Sequence, residues 1–256
     1  AGEGTKTVDH RPHLILPGFI DAHVHFPQMQ VIASYGAELL DWLNKYTFPE
    51  ETRFFNPQHG RRIARLFLDE MVRQGTTTVA AYCSVHKESA EAFFAEAAER
   101  NMLVIAGKVM MDRNAPDGLR DTPQSGYDDT KALIGAWHGK GRALYAITPR
   151  FAITSTPEQM EMAGALVREH PDCHMQTHLS ENHAEIAFTR HFNTNPPACG
   201  LIESACTSAP ACDKRCRMET ELSHSRSVSS NSCCTSNPGR QKSSSSLSMN
   251  GGFDAS

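Results

Sequence analysis

Pro17-Gly18-Phe19-Ile20-Asp21-Ala22-His23-Val24-His25, followed at once by Phe26-Pro27-Gln28, is the stretch on which the reading of this chain turns. The apolar run Leu14-Ile15-Leu16 leads into it, and Phe19 and Ile20 carry it forward as a short buried strand. Side chains on a strand alternate with a period of two, so His23 and His25 project from one face. Proline lacks the amide donor that a ladder needs, so Phe26-Pro27 ends the strand. The two imidazoles then stand at its C-terminal mouth, where parallel α/β proteins keep their chemistry. Neutral imidazole is a good zinc ligand, and two on one face form half of a metal site. A His-x-His pair is commonly incidental, so what lies downstream decides between the two readings.

Strand and helix patterns alternate along the chain. Leu39, Leu40, Trp42 and Leu43 have helical spacing, and Thr47-Phe48-Pro49-Glu50 is expected to break it. So long an excursion after a first strand is where a lid or substrate loop would sit. Arg61 to Gln74 reads as an amphipathic helix closed by Gly75, and Thr76 to Tyr82 as a β-branched strand. A helix over Ser89 to Arg100 precedes a strand over Met102 to Val109. Residues 112–127 read as a loop, 128–138 as a helix and Ala143 to Thr148 as a strand. Thr156-Pro157-Glu158-Gln159 is a strong helix start, with a capping threonine and proline at the first helical position. His174 to His178 is the last clear strand. Five such alternations imply an α/β protein with a parallel sheet, an incomplete (β/α)8 TIM-type barrel of about five βα units.

Composition sets outer limits. The 256 residues suffice for one sizeable α/β core. A net charge of −4 carries no basic excess, so nucleic acid is not an expected partner. No apolar run approaches a membrane span, so no membrane partner is expected either. Ala1-Gly2-Glu3-Gly4-Thr5-Lys6 lacks an apolar signal core, so export is not expected. With no initiating methionine, a start inside a longer parent is expected. Cys83 and Cys173 stand alone before residue 190, which suggests a reducing, cytoplasmic setting. Cys199, Cys206, Cys212, Cys216, Cys233 and Cys234 crowd a serine-rich stretch over 191–256 without apolar periodicity, expected to be a disordered, non-homologous tail. A zinc knuckle built on Cys206, Cys212, Cys216, His224, Cys233 and Cys234 is an alternative, although only Cys212-x-x-x-Cys216 has suitable spacing.

Thr177-His178-Leu179-Ser180-Glu181 ends the fifth strand as His23 and His25 end the first. In a barrel those mouths face one central site, and three imidazoles with an open position make a catalytic zinc centre. Glu181 can bend back over such a metal as a proton shuttle. Taken singly, His178 could be a core histidine and Glu181 a capping carboxylate; their joint placement favours catalysis. Thr148-Pro149-Arg150-Phe151 closes the fourth strand in the same way. Arg150 could offer a bidentate fork to a planar acceptor pair such as O6 and N7 of guanine, or form a surface salt bridge. The H-x-E plus P-C-x-x-C zinc pattern of the nucleobase deaminases that flip out their base is absent beyond His86-Lys87-Glu88.

The opening motif resembles that of the amidohydrolase superfamily. His25-Phe26-Pro27-Gln28, Trp42-Leu43-Asn44-Lys45-Tyr46-Thr47-Phe48-Pro49, Gly75-Thr76-Thr77-Thr78, Gly107-Lys108-Val109-Met110-Met111-Asp112, Thr148-Pro149-Arg150-Phe151 and Gln176 to Asn182 resemble its guanine deaminase branch over about residues 13–190. The resemblance implies one zinc per subunit held by His23, His25 and His178, and Glu181 as general acid/base. It implies substrate contacts from His25, Phe26, Pro27, Gln28, Arg150, Phe151, His178, Leu179, Ser180 and Glu181, and a homodimer. The implied reaction is hydrolytic deamination of guanine at C2, giving xanthine and ammonia. Another heterocycle within the superfamily, or an inactive fragment, are the alternatives. The domains expected are 1–12, a remnant of a flanking β-domain; 13–190, a partial barrel truncated C-terminally; and 191–256, the tail. A sixth-strand histidine and an eighth-strand aspartate are also implied, and His224, Asp213 and Asp254 lie in surroundings too irregular to be assigned.

Overall fold

The computed structural model describes residues 4–35, 38–179, 181, 183 and 185–187. The expected tail at 191–256, with its cysteine cluster, therefore lies outside the described residues. Strand β1 (Phe19–His25) gives way at Phe26 to a short 3-10 turn, Phe26–Val31, as the proline requires. Helix α1 (Leu39–Trp42) runs through a π segment, Leu43–Thr47, into α2 (Phe48–Thr52). Thr47-Phe48-Pro49-Glu50 thus does not break the helix. A wide π turn just before Pro49 relieves the clash its ring makes in a regular helix, and the chain continues.

Helix α3 (Pro57–Arg73) starts four residues ahead of the predicted Arg61, because the Asn56 side chain accepts from the amides of Gln58 and His59. Gly75 follows it with φ of +84°, a conformation that β-carbon sterics deny most residues. Then come β2 (Thr76–Tyr82), α4 (Lys87–Glu99) and β3 (Leu103–Gly107). The strand expected to run on to Val109 is interrupted at Lys108, and β4 is only Val109–Met110. The Lys108 amide donates to the Tyr145 phenol, at 3.2 Å, and its ammonium to Asp121, at 2.7 Å. At Gly107 a β-carbon would stand 1.8 Å from the Ala146 carbonyl oxygen, so only glycine lets the two strands approach. Helix α5 (Pro123–Trp137) begins five residues before the predicted 128, inside the presumed loop. A reciprocal cap between Thr122 and Ser125 fixes that start. Next are β5 (Ala143–Pro149), α6 (Pro157–Glu169), capped by Thr156 as expected, and the short β6 (His174–Met175).

All pairings are parallel, in the order β1, β2, β3, β5, with β4 and β6 both beside β5. This is the expected parallel α/β class, an incomplete barrel with five strand positions, and among the described residues the sheet does not close. It does curl strongly. The buried Gln176 side chain, just past β6, donates to the Ala81 carbonyl of β2 at 3.1 Å, although β3 and β5 lie between those strands. Residues of α3, α4, α5 and α6, including Phe67, Phe93, Phe94, Leu133 and Leu166, pack on Val79, Val104 and Ile147 to form the core outside the curl. A second cluster, with Leu43, Phe48, Tyr82, Val109, Met111 and Phe151, gathers round the strand mouths.

Strand β1 departs from expectation in its burial. Phe19 is 62% and Ile20 72% exposed, with Leu14, Ile15 and Leu16 exposed ahead of them. Its one partner among the described residues is β2, so the outer edge and flank have nothing to pack on. Among the described residues no helix is long and apolar enough to cross a membrane.

Candidate metal centre and substrate cavity

Parallel pairing brings the C-terminal ends of β1, β2, β5 and β6 to one rim. His25 lies in register with Tyr82, and the Tyr82 ring is a floor on which the histidines rest. His25 stacks on it with ring centroids 4.5 Å apart, His178 tilts over it at 4.4 Å and His23 meets it edge-on at 5.1 Å. His23 and His178, 155 positions apart, have centroids 4.9 Å apart. One ring nitrogen from each of His23, His25 and His178 falls in a group spanning no more than 4.8 Å, compact enough to hold a metal ion.

Backbone geometry sets the protonation of this group. The Arg150 carbonyl accepts from Nδ1 of His178 at 2.7 Å, and a carbonyl only accepts, so Nδ1 carries the ring proton. Nε2 of His178 is therefore a bare lone pair, and it lies 2.9 Å from Nε2 of His25. Two lone pairs at that distance repel, so a proton or a cation belongs between them. Burial, then the Arg150 charge, push His178 down to about 3; the carbonyl bond and His23 act in opposite senses. Burial chiefly, then the charges of His178, Arg150 and His23, hold His25 well below the usual histidine value. His23 is lowered by burial against a smaller pull from Asp21. Three neutral imidazoles with a shared lone-pair focus fit a divalent metal.

A cavity of about 320 Å³ opens beside them. Its wall includes Gln28, Leu39, Trp42, Leu43, Arg150, Phe151 and Glu181 along with the three histidines. The excursion after β1 thus supplies wall residues, as its position suggested. Glu181 faces the cavity while partly open to solvent; desolvation by the wall and repulsion from Glu185 raise its pKa, against the pull of Arg150. Arg150 is fully buried, and its fork is engaged neither as a surface salt bridge nor free. Nη1 and Nη2 donate to Glu51 at 2.5 and 3.2 Å, and the guanidinium sits over the Phe48 ring at 5.6 Å.

Not every residue expected at the substrate lies on this wall. Phe26 turns into the core, stacked on Phe93 at 4.8 Å and edge-on to Phe54 at 5.4 Å, because the 3-10 turn points it under the sheet. Pro27 is buried beside it, and Leu179 is half-buried off the cavity wall. Ser180 lies outside the described residues. Tyr82, Leu39 and Glu51 carry no motif in the sequence; only the strand register and the curl bring them in. A second cluster, His138, Asp172 and Cys173, is less suited to a cation. Nδ1 of His138 accepts the Tyr145 amide at 3.0 Å, which leaves the ring proton on Nε2 toward Asp172. Burial, with Asp172 adding to it, pushes the Cys173 thiol up to about 12.

Residues 14–215 match the amidohydrolase family. The chain belongs to that family. Among curated relatives, the guanine deaminase of Escherichia coli strain K12 is 52% identical over 182 residues, covering 71% of this chain and 42% of the relative. The solved E. coli guanine deaminase aligns with a TM-score of 0.72 at 47% identity, covering 74% of this chain and 44% of that one. A guanine deaminase from C. acetobutylicum, solved with guanine bound in its active site, aligns with a TM-score of 0.73 at 32% identity over 79% of this chain and 49% of that one. This amidohydrolase chain therefore spans less than half the length of these relatives. Members of the family are metal-dependent, in keeping with the histidine group at the rim.

Proposed function

We propose that this chain carries the metal- and purine-binding half of a guanine deaminase, converting guanine and water to xanthine and ammonia. The observation that carries the reading is the meeting of His23, His25 and His178 beside a cavity walled by Gln28, Arg150, Phe151 and Glu181. The three imidazoles would hold zinc. Zinc held there would lower the pKa of a water toward neutral and so make a nucleophile available for C2.

The other work falls to this chain's own side chains. Glu181, raised in pKa yet able to ionise, would accept one proton of the water and pass it to the ring nitrogen beside C2, where it stays in xanthine. It would then carry the remaining proton from the C2 hydroxyl to the amine, which departs as ammonia as the C2 carbonyl forms. Arg150 keeps N–H groups beyond the two spent on Glu51, and these can donate to a carbonyl oxygen on the base. Phe151 meets His178 edge-on at 6.2 Å and offers an apolar wall for a flat ring. Leu39, Trp42 and Leu43 add apolar surface to the cavity wall. Guanine bound in the active site of the C. acetobutylicum relative supports the choice of substrate.

Zinc-loaded chain incubated with guanine, adenosine, cytosine and a triazine tests the assignment. Xanthine from guanine, with the others slower, is the expected outcome. Faster turnover of another heterocycle would reassign the substrate, and no turnover of any would mark this chain as an inactive fragment.

A further inference from the structure

Glu51 carries no motif, sits on the short helix α2 and is fully buried, yet it meets two side chains of the cavity wall. Its carboxylate accepts from both terminal nitrogens of Arg150, at 2.5 and 3.2 Å. The Gln28 side-chain amide donates to Oε1 of the same carboxylate at 3.1 Å. Its backbone carbonyl is in turn held by the Ser84 hydroxyl at 3.2 Å, which ties α2 to the loop after β2. We infer that Glu51 is the positioning residue of the substrate cavity, fixing the donor–acceptor pattern that Arg150 and Gln28 present to a ligand.

The chemistry is that of an acceptor-only hub. A carboxylate has no proton to give, so the Gln28 amide must turn its NH2 inward and keep its carbonyl oxygen for the cavity it lines. The same hub takes one edge of the Arg150 fork, so the remaining N–H groups keep a fixed direction. The wall then offers one acceptor, from Gln28, beside one cationic donor, from Arg150. That pair complements a ring edge with an N–H next to a carbonyl, and it disfavours a ring lacking the carbonyl. Glu51 touches no substrate in this scheme; it acts through its two partners. The selectivity part of the inference rests on the guanine reading, while the hub itself does not.

Glu51→Gln tests both parts. The substitution puts an amide donor where only acceptors fit, so it sets donor against donor at Gln28 or at Arg150. In the unsubstituted chain the Arg150 Nη–H signals are expected to be slowly exchanging and resolved by NMR, alongside a shifted Gln28 NH2 pair. Both are expected to collapse in Glu51→Gln, with the histidine ring signals and strand amides unchanged. Affinity for guanine is expected to fall about tenfold or more, while affinity for 2-aminopurine, which lacks the ring carbonyl, stays within about twofold. Glu51→Asp keeps the acceptor-only group and is expected to recover part of both effects. Guanine binding weakened no more than 2-aminopurine binding, or Arg150 and Gln28 signals unmoved by Glu51→Gln, would overturn the inference. Unfolding of both variants would also overturn it, leaving Glu51 as structural support. If the unsubstituted chain binds neither purine, the guanine reading fails by itself, and the NMR signals alone decide whether Glu51 holds the hub.

Discussion

His178 is bound twice by Arg150: its backbone amide and its Nδ1–H both reach the Arg150 carbonyl, at 2.9 and 2.7 Å. The backbone bond continues the pairing of β6 with β5 past the last assigned strand residue. The ring bond fixes the tautomer and aims Nε2 at the other histidines. One peptide carbonyl thus joins sheet geometry to metal-ligand geometry.

Nitrogen-15 NMR of the histidine rings in metal-free chain gives a direct check of that pair. His178 is expected as the neutral Nδ1–H tautomer across neutral pH, because burial and the Arg150 charge keep it unprotonated. An Nε2–H pattern for His178 would contradict the orientation described.

Glu181→Gln is expected to lower turnover of guanine by about 10²–10⁴-fold while leaving the bound metal in place. Glu181 must begin unprotonated to take the proton from water, and its carboxyl is held above the usual range by desolvation and by Glu185. Activity is therefore expected to fall, as pH drops, at a pH above the ordinary carboxylate value. A kcat/KM profile with its acid limb at or below that value would argue against this role.

Much of this arrangement was legible in the sequence, for physical reasons. The His23–His25 pair, the Pro27 stop and the caps at Thr156 and Gly75 are local signals, and local signals survive folding. The π turn ahead of Pro49 was not legible, because a proline in a helical pattern ordinarily reads as a stop. Nor was the inward turn of Phe26, since a residue beside a motif need not share its face. The exposure of Phe19 and Ile20 escaped because an apolar run reads as buried whether or not a neighbour exists to bury it. Glu51 was invisible for a different reason. Its role depends on Gln28 and Arg150, 23 and 99 positions away, and no spacing rule connects them.

Phe26→Ala checks the placement of that ring. A fully buried aromatic among Phe54, Phe67 and Phe93 is expected to cost about 3–5 kcal/mol of stability when truncated. Denaturant titration measures it. A loss below about 1 kcal/mol would put Phe26 outside the core.

Glu96 should govern acid stability. Its carboxylate is covered by the guanidinium groups of Arg61, Arg65 and Arg100. Desolvation raises its pKa, but hydrogen bonds from the three arginines outweigh that and lower it to about 2. A carboxylate depressed on folding contributes stability above its unfolded pKa, near 4.5, and loses it as pH falls toward about 2. Thermal melts of the chain and of Glu96→Gln between those pH values are expected to converge as pH falls. Parallel curves with a constant gap would contradict the assignment.

Metal content after dialysis tests the meeting of three distant imidazoles most directly. Zinc-loaded chain is expected to retain one ion per molecule, and His23→Ala, His25→Ala and His178→Ala are each expected to lose most of it. Retention unaffected by His178→Ala, or no retention by the unsubstituted chain, would contradict a shared centre built from both ends of the sheet.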